Sequence, residues 1–132
     1  MSNPPRIVAS RECPWFTVVL RDDGILAYHP RPGLVLTHEV ALRVLELGLQ
    51  VTRGPAPTLV LMRDMARVER EARSLFASEA YMRLCSQTAV VVGSPVSRVI
   101  ANFFLGLNRP KYPYQVFDDP ELATEWLRGF VS

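Results

Sequence analysis

The sequence has only two cysteines, Cys13 and Cys85, in 132 residues. They lie far apart with no other ligand type beside them, which excludes a zinc site of ordinary spacing and argues against a disulfide framework. Histidine is as scarce. His29 and His38 are the only two, and neither falls in an HExxH or similar ligand spacing. Lysine is nearly absent, with Lys111 alone among 15 basic residues. The arginines stand singly and often beside acids, as in Arg63-Asp64 and from Arg67 to Arg73, and the formal net charge is only +2. That distribution reads as a solvated helix face and not as a phosphate-tracking stripe, so no nucleic-acid partner is expected. No apolar run approaches the ~20 residues of a membrane span. The opening Met1-Ser2-Asn3-Pro4-Pro5-Arg6 has no apolar stretch behind it of the kind a secretory signal carries. A cytoplasmic location is the expectation. The sequence has no internal repeats and no low-complexity segments.

What is present is the composition of an ordinary globular domain, 48% hydrophobic and 21% charged. A chain of this size buries roughly 65–70% of the surface it exposes unfolded. Residues 1–13 hold two prolines and little periodicity, and read as a tail or a loosely attached first segment ahead of a domain spanning 14–132. Trp15 to Leu20 is β-rich; Asp22-Asp23-Gly24 supplies a turn and Ile25 to His29 a second strand, together a hairpin. Pro30-Arg31-Pro32-Gly33 then breaks the chain. Thr37 is placed to cap a helix with Glu39 in its first turn. That helix carries Val40, Val44, Leu47 and Val51 on one stripe, with Ala41, Leu45 and Gly48 beside it.

Beyond Arg53-Gly54-Pro55-Ala56-Pro57, the continuous apolar run Thr58 to Met62 has the pattern of a strand buried on both faces. A second helix is predicted from about Arg67 to Leu84. Thr88 to Val92 is another buried strand. Gly93-Ser94-Pro95 opens a third helix, with Pro95 where a missing N–H costs nothing, and Asn108-Arg109-Pro110-Lys111 closes it. Tyr114 to Phe117 is the last strand. Asp118 or Asp119 caps a terminal helix that starts at Pro120 and runs from Glu121 to Phe130. The expected order is β-β-α-β-α-β-α-β-α: a single α/β domain with a mixed sheet, a hairpin start, right-handed crossovers and covering helices.

Several stretches together resemble the SpoIIAA-like group of bacterial STAS-related domains. They are Leu61 to Arg73, Ala89 to Arg98, Asn102-Phe103-Phe104, Tyr112-Pro113 before Phe117-Asp118-Asp119, then Ala123 and Trp126-Leu127. The resemblance implies a four-turn (βα) superhelix of the kind shared with CRAL-TRIO domains. Many members of the group have no assigned activity. STAS regulators that antagonise anti-sigma factors are switched by phosphorylation of a serine just after the third strand's Asp. Here that stretch reads Asp64-Met65-Ala66, with no hydroxyl, so this switch is not carried over.

No catalytic apparatus can be assembled from the sequence and no cofactor is expected. His29 and His38 suit surface or capping roles. The acid pairs Asp22-Asp23 and Asp118-Asp119 are explained by turn and cap chemistry. Gly93-Ser94-Pro95 lacks the glycines and lysine of a phosphate loop. Two features are less ordinary. Ser94, Ser97 and Arg98 cluster at the start of the third helix, at the C-terminal end of a strand whose neighbour ends at Arg63-Asp64. Either Ser94 caps and Arg98 is solvated, or these groups with Asp64 hold a small anion weakly. On the third helix Val96, Val99, Ile100, Phe103 and Leu107 form the core stripe. Phe104 and Leu105 turn away from it beside Ala101, which marks a surface for a protein partner or a homodimer. The functional expectation is a non-enzymatic regulatory or scaffolding module. The alternative is a sensor or carrier of a small anion or apolar molecule.

Overall fold

The apolar runs flanking Asp22-Asp23-Gly24 fold back on one another as the hairpin signal demands. The computed structural model describes residues 5–52, 54–62, 65–76, 78–93 and 113–129. Strands β1 (Ile7–Glu12), β2 (Phe16–Arg21) and β3 (Leu26–Pro30) form an antiparallel meander. The β2–β3 turn closes with the Arg21 N–H donating to the Ile25 carbonyl (2.9 Å) and the Gly24 N–H to the Arg21 carbonyl (3.0 Å). The reading of residues 1–13 as a tail is corrected over Ile7–Glu12, which is the edge strand of the sheet. Its alternation is invisible in the sequence because every residue of β1 except Ala9 is exposed, so neither face has to be apolar.

The chain then forms β4 (Leu34–Leu36), α1 (His38–Val51), β5 (Ala56–Leu61), β6 (Met65–Val68), α2 (Arg70–Phe76), α3 (Glu79–Met82), β7 (Cys85–Val91), β8 (Tyr114–Phe117) and α4 (Pro120–Arg128). The main sheet has the order β1-β2-β3-β5-β7-β8, with β3, β5, β7 and β8 parallel. β4 and β6 make a separate parallel pair. This is the expected mixed α/β architecture with more pieces. The stretch predicted as one helix from Arg67 to Leu84 begins as a strand, because β6 pairs with β4 and the Glu69 N–H extends the ladder to the Leu36 carbonyl (2.9 Å). Its helical part breaks at Ser78, whose N–H reaches the carbonyl of Leu75, three residues back, at 3.0 Å. The predicted third helix lies outside the described residues.

The buried strands β5 and β7 alternate between two cores, as their continuous apolar character requires. One face packs Phe16, Val18, Leu26, Tyr28 and Cys85 against Val40, Ala41, Val44, Leu47 and Val51 of α1 and against Ala72, Tyr81 and Leu84. The other packs Val19, Ile25, Ala27, Leu59, Ala89 and Val91 against Ala123 and Leu127 of α4. The starts of α1 and α4 follow their capping chemistry. The Val40 N–H donates to Thr37 Oγ1 (3.2 Å), and the Glu121 N–H donates to Asp119 Oδ1 (2.9 Å) just after Pro120. The Tyr81 hydroxyl donates to the Ala41 carbonyl at 2.8 Å, joining α3 to α1 through the core.

Candidate functional site

The expected anion-binding residues Asp64, Ser94, Ser97 and Arg98 lie outside the described residues, as do Ala101, Phe104 and Leu105 of the expected interface. The described surface brings a different set together.

The β2–β3 register sets Phe16 opposite Pro30, and so places two turns side by side at that end of the hairpin. In one, the Cys13 N–H donates to the Phe16 carbonyl (3.0 Å) around Pro14-Trp15. In the other, the Leu34 N–H donates to the Arg31 carbonyl (3.1 Å) around Pro32-Gly33. Gly33 has φ +81°, so proline in the second position and a left-handed glycine in the third satisfy a type II turn. The Arg31 N–H donates to the Trp15 carbonyl at 2.9 Å and locks the two turns together. The start of α1, with Thr37, Glu39 and Val40, forms the third wall of an open groove of about 460 Å³. That volume falls within the ~300–1,000 Å³ of small-ligand sites. Trp15 is 38% exposed although its backbone is pinned. Among the described residues, the charged groups lining the groove are Arg31, 62% exposed and 3.9 Å from the Glu12 carboxylate, and Glu39. In the sequence these stretches read as a break. The available signal was the Pro32-Gly33 dipeptide, which predicts the turn but not its neighbour.

Apolar side chains are also exposed elsewhere. Ile7 and Val8, each 63% exposed, stand on β1, and α1 presents Leu42 and Leu49 two turns apart. β1 carries a bulge, its register with β2 shifting between Ile7 and Ala9.

Three side chains, Cys85, His29 and Asp23, are displaced from their ordinary titration values. Burial pushes the Cys85 thiol up to about 11, and the neighbouring Thr58 and Thr88 side chains offset only part of that. Burial, and then the nearby Arg21 charge, hold His29 below the ordinary imidazole value. Burial pushes the Asp23 carboxyl up, but Arg21, the Ile25 amide and Arg128 together bring it below the ordinary carboxylate range. Its Oδ2 lies 2.6 Å from Arg21 Nη2 and 3.2 Å from Arg128 Nη2, so the hairpin turn is tied to the end of α4. Among the described residues no group of three or more His, Cys, Asp or Glu is placed to hold a metal ion. Among them also, no helix is long and apolar enough to cross a membrane.

The family model described as "Domain of unknown function (DUF7793)" matches residues 18–131. The chain belongs to this family. Among solved structures, it is similar to an uncharacterized protein of the DUF3478 family with a SpoIIAA-like fold from Shewanella loihica PV-4. The TM-score is 0.58 at 17% sequence identity, over 96% of this chain and 98% of that one. At that identity the likeness is one of fold, and the DUF7793 chain has the SpoIIAA-like fold that its sequence resemblance implied. Among curated proteins, none matches it.

Proposed function

We propose that this DUF7793 domain is a non-catalytic regulatory or scaffolding module that acts through protein–protein contacts, self-association among them. The observation that carries this reading is the open edge of the sheet. β1 pairs with β2 on one side and, among the described residues, with no strand on the other, while Ile7 and Val8 are each 63% exposed. An unpaired edge offers a row of backbone donors and acceptors to an added strand. Covering two such side chains adds apolar burial at roughly 25 cal/mol per Å². The Val8 bulge and the charged Arg11 and Glu12 keep the edge from unlimited pairing. The thiol chemistry supports a non-catalytic role too, since Cys85 stays protonated at neutral pH and Cys13 is buried.

The test is light scattering behind size exclusion over a concentration series. The wild type is expected to rise above its 14.9 kDa monomer mass. Val8→Lys, at an exposed edge position, is expected to remain monomeric with unchanged melting. A wild type that stays monomeric at the highest concentration removes self-association from the proposal. If Leu105→Arg dissociates the assembly and Val8→Lys does not, the contact belongs to Ala101, Phe104 and Leu105 instead.

A further inference from the structure

We infer that α4 is an exchangeable cover, and that a second copy of this chain supplies the α4 that seals its partner's sheet. The face beneath α4 consists of Val19, Ile25, Ala27, Leu59, Ala89 and Val91, each at most 6% exposed. Among the described residues α4 is the one helix packed on it, with Ala123 and Leu127 fully buried. A contiguous apolar face of this kind has to stay covered. A nine-residue helix is too short to hold its form alone in water. Face and helix therefore need each other, and a detached α4 finds an equal seat on the same face of another copy. The packing itself selects that occupant, since the complementary surface is the one α4 already fills.

Both ends of α4 suit such an exchange. β8 stops at Phe117 and α4 starts at Pro120, so Asp118 and Asp119 alone carry the chain from the strand onto the sheet face. Asp119 is extended (φ −129°, ψ 118°), as suits the residue before a proline, and its Oδ1 caps the Glu121 N–H at 2.9 Å. Residues 119–128 thus turn as one body, and a short hinge favours passing the helix to a neighbour. At the far end Arg128 Nε and Nη2 donate to Asp23 Oδ2 at 3.3 and 3.2 Å. The Arg128 side chain is 41% exposed, so water competes for this tie. A closed chain keeps its own α4 because a tethered segment acts at an effective concentration on the order of millimolar. Exchange wins where the closed tie is spoiled and the exchanged one is not.

The inference rests on the self-association reading above but uses a different surface, so every protein in its test carries Val8→Lys to disable the β1 edge. Asp23→Arg sets Arg128 against a second cation, and Arg128→Asp sets Asp23 against a second anion. Each spoils the closed tie. In an exchanged pair made of one of each, both lobes regain opposite charges. Each variant alone is expected to stay at the 14.9 kDa monomer mass by light scattering. An equimolar mixture, unfolded in urea and refolded together at roughly 0.1–1 mM, should rise toward twice that mass. The double variant Asp23→Arg/Arg128→Asp, matched when closed, should stay monomeric. In native-state hydrogen exchange of the full chain, α4 amides should open at lower free energy than those of β5 and β7. Arg128→Ala should speed them at least about threefold and leave α1 unchanged. The inference is overturned if the mixture keeps the monomer mass, or if the double variant dimerises as strongly. It is equally overturned if α4 amides exchange only with global unfolding, a readout that stands even where a charge variant fails to fold. A monomeric mixture leaves the β1 reading in place, whereas association of the Val8→Lys protein alone removes that reading and not this one.

Discussion

Replacing Gly48 with alanine tests the packing of α1 on the sheet more sharply than any exposed substitution. In an open helix the change would stabilise by about 1 kcal/mol, because glycine is the poorest ordinary helix former. Here a Cβ at position 48 would lie 2.5 Å from the Tyr28 hydroxyl oxygen and 2.8 and 3.1 Å from the two Leu84 methyl carbons. Neither neighbour has room to give. Tyr28 is 4% exposed on a central strand, and Leu84 is fully buried. Relieving three contacts requires the helix to lift or both side chains to leave their rotamers, at the ~1–3 kcal/mol typical of overpacked cores, with this site at the upper end. The propensity gain offsets only part of that. The expected net effect of Gly48→Ala is a loss of about 1–2 kcal/mol, read as a lower urea midpoint at constant slope by far-UV circular dichroism. In a Tyr28→Phe background the nearest obstructing atom is gone, so the same alanine should cost less there. A Gly48→Ala protein as stable as the wild type, or more so, would refute this account of how α1 sits on β3.

The remaining expectations follow from single contacts. Because Asp23 has a folded carboxyl below the ordinary 3.8, its stabilisation is complete above that value and is lost as pH falls through the lower folded one. With solvent screening, Asp23→Asn should cost at most about 1 kcal/mol near neutral pH, and the gap to wild type should close in melts run below the ordinary carboxyl value. A gap that stays constant into acid would mean that the ion pairs with Arg21 and Arg128 contribute nothing. Thr37→Ala removes the acceptor for the Val40 N–H and should destabilise by about 1 kcal/mol in chemical unfolding, while Thr37→Asp should restore most of it. Neither buried thiol should react with a disulfide reagent in the folded protein at neutral pH, and both should react in denaturant. Prompt modification of native Cys85 would contradict the burial that pushes it up to about 11.

The fold was legible wherever burial imposes a period. The stripe Val40, Val44, Leu47 and Val51 is the buried side of α1, and Gly48 belongs to it as the sequence placed it. The continuous runs at β5 and β7 do face two cores. What escaped were segments whose conformation is fixed by a distant partner. β1 is a strand because the β2 edge supplies its hydrogen bonds, and β6 because β4 does. In the second case the residues before α2 hold helix formers, Met65, Ala66 and Arg67, that local propensity alone would keep helical. Tertiary pairing overrides that preference.

The groove was illegible for a related reason. Each of its turns announces itself, Pro14-Trp15 by its proline and Pro32-Gly33 by its turn chemistry, but nothing local says that they meet. They meet because the hairpin register sets Phe16 against Pro30, which in turn follows from the short Asp22-Asp23-Gly24 connection. A one-residue slip in that turn would move every β2 side chain to the opposite face, sending Val18 toward α4 and Val19 toward α1. The two cores therefore enforce the register, and the register alone sets Trp15 beside Arg31. The stability of the hairpin and the geometry of the candidate site are one constraint, so a substitution that lengthens the Asp22-Asp23-Gly24 turn should disturb the groove at the other end of the hairpin before it unfolds the domain.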